Sequence, residues 1–192
     1  MTRWPAARRH GFLYPAGVRI LVTGSNGFVG RRVAADALAR GWQVVGLGRA
    51  AQPSGPVTRY VRADLGEPLE LAEEVDAVVH AAALATPWAP PDAYRRNNVA
   101  ATAHIVGWAA DHGRPHLLYV SSSSVFYTAG DQLGLTERSP IPRDVDQINA
   151  YSRTKLAGER LARAYPGEAA VLRPRAVFGV CDTVLLHRVV AA

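Results

Sequence analysis

The 192-residue chain has one lysine, one cysteine and one methionine, Met1. A lone cysteine, Cys181, excludes an internal disulfide, and no Cys/His spacing outlines a metal site. A reducing, cytoplasmic setting is expected. No apolar run reaches the ~18 residues that a membrane span needs, so no membrane association is expected. Residues 1–17 hold Arg3, Arg8 and Arg9 and no acid, yet lack the continuous apolar stretch of a secretory signal. They read as a disordered basic tail ahead of one domain over 18–192. Hydrophobic content of 48% fits a globular domain long enough for a real core. The net charge of +6 invites a nucleic-acid reading. Three positive charges fall in the tail, and the other arginines are scattered among acids rather than gathered in a stripe, which argues against it.

What is present is placed tellingly. Of 22 basic residues, the one lysine is Lys155, four residues after Tyr151 in Tyr-Ser-Arg-Thr-Lys. Residues at i and i+4 share a helix face. An ammonium beside a phenol favours the phenolate, so Tyr151 is expected to have a lowered pKa and to act as a general acid/base. Arginine, with a wide fork that never gives up its proton, is no equivalent.

The second strong feature is a buried-strand pattern over 18–23 that runs into Gly24-Ser25-Asn26-Gly27-Phe28-Val29-Gly30, followed by helical composition over 31–40. Strand, glycine turn and helix in that order form a dinucleotide site. The turn exposes backbone N–H groups at a helix N-terminus, where the dipole favours a pyrophosphate, and glycine admits the ligand closely. Beyond it, strand and helix patterns alternate: strands over 43–48, 57–62, 76–81, 116–121 and 169–173, helices over 66–75, 92–112 and 149–165. Alternation predicts an α/β fold, a Rossmann-type doubly wound parallel sheet in the order 3-2-1-4-5-6, with the ligand at the carboxyl ends of the strands. Residues 128–146 read as a surface loop near the site.

The chain resembles the extended short-chain dehydrogenase/reductase superfamily, the epimerase/dehydratase type. The residues that carry this are the Thr23–Gly30 turn, Asp64-Leu65, His80-Ala81-Ala82-Ala83, Asn98-Val99, the segment from Val120 through four serines to Val125-Phe126-Tyr127, Tyr151 with Lys155, and Arg173-Pro174-Arg175-Ala176-Val177-Phe178-Gly179. They fall in the family's order over about residues 18–182.

The resemblance implies roles. Tyr151 is the proton donor or acceptor, and Lys155 holds the nicotinamide ribose. Ser123, chosen from four serines with Ser122 next, hydrogen-bonds the substrate oxygen. Asn98 sits mid-helix, where asparagine is a poor helix former; the family's Asn bonds backbone at a local distortion. The cofactor lies against Gly24, Asn26, Gly27, Phe28, Val29 and Gly30, Asp64 and Leu65, the small Ala81, Ala82 and Ala83, Tyr151 and Lys155, and Pro174 and Val177. Asp64 reads equally as the N-cap of the 66–75 helix. His80 reads as a packed strand residue. An acid ending the second strand would select NAD; Gly48-Arg49 stands there instead, so Arg49 is expected to pair with a 2′-phosphate and NADP is preferred over NAD.

The resemblance further implies a small-molecule substrate: steroid or 3-oxoacid-like from Ala83 to Trp88 and the Ser-rich segment, or a nucleotide sugar. It also implies a homodimer through the helices over 92–112 and 149–165. Relatives continue past Gly179 into a substrate-binding region that is largely missing here, and the apolar segment 185–192 ends the chain; truncation is the expected cause. The rival reading is a non-catalytic dinucleotide-binding remnant or half of a split enzyme.

Overall fold

The computed structural model describes residues 6–9, 12–15, 17–86, 88–180 and 182, and of the first two segments the backbone alone. β1 (Ala6–Arg9) and β2 (Phe12–Pro15) pair antiparallel, Ala6 opposite Pro15, in a ladder separate from the main sheet. The stretch read as a tail thus contains paired backbone. Cys181 and the apolar segment 185–192 lie outside the described residues.

Six parallel strands form the main sheet: β3 (Arg19–Thr23), β4 (Gln43–Gly48), β5 (Arg59–Arg62), β6 (Ala77–His80), β7 (His116–Val120) and β8 (Ala169–Leu172). Their order, β5-β4-β3-β6-β7-β8, is the doubly wound 3-2-1-4-5-6 read from the alternation. The order reverses between β3 and β6, so a crevice opens at their carboxyl ends. β3 is apolar on both faces because it is central, with Ile20, Leu21 and Val22 all buried.

One face of the sheet carries α3 (Ala101–Asp111) and α4 (Ala150–Arg163), which pack Ile105, Trp108 and Ala162 on Leu21, Leu47, Val78 and Tyr119. The other carries α1 (Phe28–Ala39), whose Ala34 and Ala37 cover Ile20, Val22 and Val44. Beside α1, over β6 to β8, an apolar trough remains between Trp42, Ala77, Val79, Leu118 and Ala170.

Two connections differ from expectation. No helix forms over 66–75. Pro68 disfavours helical backbone before it, and burial there alternates, Leu69, Leu71 and Glu73 inward and Glu70, Ala72 and Glu74 outward. That is the period of an extended chain. Trp108 Nε1 donates to Leu71 O at 2.9 Å, and Glu73 pairs with Arg19 and Arg59. The expected helix over 92–112 is three pieces: α2 (Pro91–Tyr94), a π-helical stretch (Arg95–Ala100) and α3. Two successive asparagines turn their amides onto backbone at this wide turn, Asn97 Nδ2 to Ala93 O at 2.8 Å and Asn98 to Leu84. Single π turns of this kind often mark functional sites.

Candidate active site

β3 ends at Thr23, and the chain turns through Gly24 at φ +65°. A Cβ on Gly24 would lie 2.9 Å from Ala82 Cα, and one on Gly30 would collide with the Gly24 carbonyl. Both positions therefore require glycine, one for conformation and close approach, the other for packing. Gly27 N donates to Gly24 O at 2.8 Å, and α1 begins with no side-chain cap and no acid in its first turn. Its first N–H groups thus face the crevice unpartnered by side chains, and the dipole there favours an anion. The residues fit a pyrophosphate.

The crevice runs to both sides of this turn. On one side it is lined by Asn26, Gly48, Arg49, Asp64, Leu65 and Ala82. Asp64 does not cap a helix, since none follows. Its Oδ1 accepts from Gly66 N at 3.0 Å, which holds its carboxyl below the ordinary value with help from Arg96, 3.0 Å from Oδ2. Asn26 ties the glycine turn to the loop after β4: its Oδ1 accepts from Ser54 N at 2.9 Å, and its Nδ2 donates to Gln52 O and to Tyr60 Oη, both at 3.1 Å. A Cβ on Gly48 would meet Tyr60 Oη at 2.8 Å. Arg49 Nη1 reaches Asn97 Oδ1 at 3.3 Å across the mouth.

On the other side lie Phe28, Val29, Gly30, Ala81, Ala83, Ser121, Ser122, Tyr151, Lys155, Pro174 and Val177. Asn149 caps α4 by accepting from Ser152 N at 2.8 Å, which fixes the turn that presents Tyr151. Lys155, 1% exposed, donates to Val120 O at 2.6 Å and lies 4.3 Å from the Tyr119 ring centroid. Burial pulls its pKa down to about 7, against an opposing pull from Glu159. The expected lowering of the Tyr151 pKa is not what this arrangement gives. Burial raises it, a hydrogen bond with Ser122 opposes the rise, and Tyr94 adds to it.

That Ser122 contact also moves the expected hydroxyl. Ser123 Oγ is 2.9 Å from Tyr127 Oη and does not line the crevice; Ser122 does. Four successive serines hide which one the strand exit aims inward. Ser122 is the last extended residue before the 3-10 turn Ser123–Phe126, and it accepts from Ser124 N. The structure thus brings Ser122 to Tyr151 and Lys155, and leaves Ser123 against Tyr127.

Asn98, 1% exposed, stands behind this end of the crevice. Its Oδ1 accepts from Leu84 N at 2.7 Å, and its Nδ2 donates to Leu84 O at 3.2 Å and to Thr154 Oγ1 at 3.1 Å. A buried chain continues from it. Thr102 Oγ1 donates to Asn98 O at 2.6 Å, so it must accept from His80 Nε2 at 3.0 Å. His80 Nδ1 then accepts from Thr23 Oγ1 at 2.7 Å, and Thr23 Oγ1 accepts from Ala82 N at 3.1 Å. Burial, with Lys155 adding, lowers the His80 pKa to about 3, so the ring is neutral and structural.

One residue of this site escaped the sequence reading, and Arg173 entered it only as part of a motif, with no role. Glu159, 1% exposed, accepts from Ser121 Oγ at 2.6 Å and from the Arg173 fork at 2.9 and 2.6 Å. The i, i+4 spacing from Lys155 was the available signal for Glu159. Among the described residues no group of three His, Cys, Asp or Glu is placed to hold a metal, and no helix is long and apolar enough to cross a membrane.

Comparison with known proteins agrees with this fold. The model of the NAD dependent epimerase/dehydratase family matches residues 20–191. A 2-alkyl-3-oxoalkanoate reductase of Stenotrophomonas maltophilia is 32% identical over 179 residues, which is 89% of this chain and 54% of the relative. The methionine adenosyltransferase 2 subunit beta of Rattus norvegicus is 32% identical over 84% of this chain and 47% of its own. The solved structure of MoeE5 in complex with UDP-glucose and NAD is 31% identical with a TM-score of 0.64, over 81% of this chain and 52% of that one. The chain thus spans about half the length of the curated relatives it matches.

Proposed function

The chain belongs to the NAD dependent epimerase/dehydratase family, and on that premise we propose that it forms the nicotinamide-binding half of an oxidoreductase or epimerase of the extended short-chain type. One observation carries the reading: the Gly24–Gly30 turn, Ser122, Tyr151 and Lys155 line a single hollow at the carboxyl ends of the strands.

The nicotinamide, when bound, supplies or accepts a hydride at a substrate CH–OH or C=O carbon. The chain's own residues handle the oxygen. Tyr151 donates its phenolic proton to the substrate oxygen in the reducing direction and takes it back in the oxidising one. Burial keeps that phenol protonated near neutral pH, which suits donation. Ser122 hydrogen-bonds the same oxygen as charge develops. Lys155 supplies a compact cation and donor beside them. Asn98 fixes Leu84 and, through Thr154, the first turn of α4.

NADP is the preferred cofactor. Gly48 offers no carboxylate to repel a 2′-phosphate, Tyr60 fills the space where one would stand, and Arg49 lines the hollow on that side. The substrate is a 3-oxoacid or related ketone, a reading supported by the similarity to an oxoalkanoate reductase. A nucleotide sugar is the alternative, and the relation to a protein that binds UDP-glucose favours it. A homodimer through α3 and α4 belongs to the same reading, and sedimentation of the purified chain tests it.

Calorimetry with NADPH and NADH is the primary test, because a ligand that binds the native state stabilises it by mass action. A folded protein that binds neither overturns the proposal. The second reading, a binding module without turnover, is favoured by the chain's matching only about half the length of its relatives. It predicts cofactor binding with no reduction of any oxoacyl substrate.

A further inference from the structure

We infer that Glu159 and Arg173 form a buried charge pair that governs the protonation of Lys155, and so act as positioning residues for the site proposed above. Two adjacent strand exits hold the pair. At the end of β7, Val120 O accepts from Lys155 Nζ at 2.6 Å, and the next residue, Ser121, donates Oγ to Glu159 at 2.6 Å. The exit of β8 supplies Arg173, whose Nε and Nη2 grip both oxygens of Glu159. Backbone bonds from Ser121 N to Leu172 O at 2.7 Å and from Ser123 N to Pro174 O at 3.0 Å hold the two exits side by side. On α4, Lys155 and Glu159 stand one turn apart on the buried face, each 1% exposed.

The pair exceeds what packing requires. A buried carboxylate and a largely covered guanidinium confer little net stability over apolar residues. Their effect on a third charge is larger, because the surroundings screen poorly. The groups that face Lys155 are few. Tyr119 and the Val120 carbonyl face it from β7, and the His80 ring, neutral and therefore without charge to exert on it, stands beside Tyr119 on β6. Tyr151 and Glu159 share its helix, and Arg173 acts through Glu159. Glu159 is the one anion among them, and it opposes the fall that burial imposes on Lys155. Arg173 restrains that effect and also leads directly into Pro174 and Val177, which wall the same hollow.

Because Lys155 is the chain's one lysine, protein labelled with lysine carrying 13C at Cε gives a single side-chain lysine signal whose pH titration reads its protonation directly. The experiment uses the full chain without cofactor, so it stands whether or not the proposed activity does. Glu159→Gln leaves Arg173 unpaired beside Lys155, and its midpoint is expected to fall by about one pH unit or more. Arg173→Met leaves Glu159 free to pair with Lys155, and the midpoint is expected to rise. The double variant, which strands no charge, is expected to fall below the parent by less than Glu159→Gln. It keeps the test decisive if a single variant does not fold. A pair with a merely structural role moves both single variants the same way or neither. That result, or an unmoved double variant, overturns the inference.

Discussion

Asn98 grips Leu84 at both of its backbone polar groups, accepting from its N–H at 2.7 Å and donating to its C=O at 3.2 Å. The grip depends on the π-helical turn, since Asn98 lies in the middle of the Arg95–Ala100 stretch. Asn98→Ala strands the N–H and C=O of part-buried Leu84, and each such loss costs at most about 1–3 kcal/mol. Thermal unfolding is expected to show a fall of several degrees. Asn98→Asp retains the acceptor but not the donors, and is expected to fall nearly as far. An unchanged midpoint in both variants would remove Asn98 from the scaffold of the site.

Tyr151→Phe is expected to bind NADPH with affinity within about twofold of the parent, since the phenyl ring retains the wall of the hollow. Turnover is expected to drop by at least about a hundredfold, the usual contribution of a positioned acid/base. Steady-state rates with an oxoacyl substrate check it, and undiminished turnover would end the assignment.

Cofactor choice is read at Arg49. Arg49→Ala is expected to weaken NADPH by about ten- to a hundredfold, the scale of a lost charge-assisted hydrogen bond, while NADH changes little. Equal losses for both would mean that Arg49 does not distinguish the phosphate.

His80 gives an acid limb to stability. Its folded pKa, about 3, lies below the ordinary 6.5 because the ring is buried. The unfolded chain therefore binds more protons between those values, and stability rises with pH there. The contribution is complete above about pH 6.5 and is lost progressively as pH falls toward 3. Urea unfolding across that window is expected to show the slope. An imidazole 15N spectrum is expected to show a neutral ring with the proton on Nε2, as the direction of the Thr102 bond requires.

The sheet order was legible because β3, β4, β6 and β7 are short apolar runs separated by helical patterns, a signature that leaves few topologies. The glycine turn was legible because Gly24 and Gly30 each answer a steric demand visible in sequence as strand, glycine and helix. The segment 66–75 misled because Leu69, Leu71 and Glu73 satisfy a two-residue period, while the composition around them suits a helix. The π turn depends on Asn98 finding partners at Leu84 and Thr154, away from it along the chain. Which of the four serines lines the hollow is set by where β7 ends rather than by spacing, so the position of Ser122 there was not legible. The Tyr151 phenol went the other way from expectation because the i+4 rule counts the lysine's charge and not the depth at which both groups are buried.

The burial of Lys155 gives the chain a single concealed cleavage point. A protease that cuts only after lysine has one target in all 192 residues, and that target sits inside α4 with 1% of its surface accessible. Cutting requires α4 to open, so the digestion rate counts how often the helix that bears Tyr151 leaves its place. Two fragments are the only products, and a ligand that seats against Tyr151 and Lys155 should slow their appearance in proportion to its occupancy.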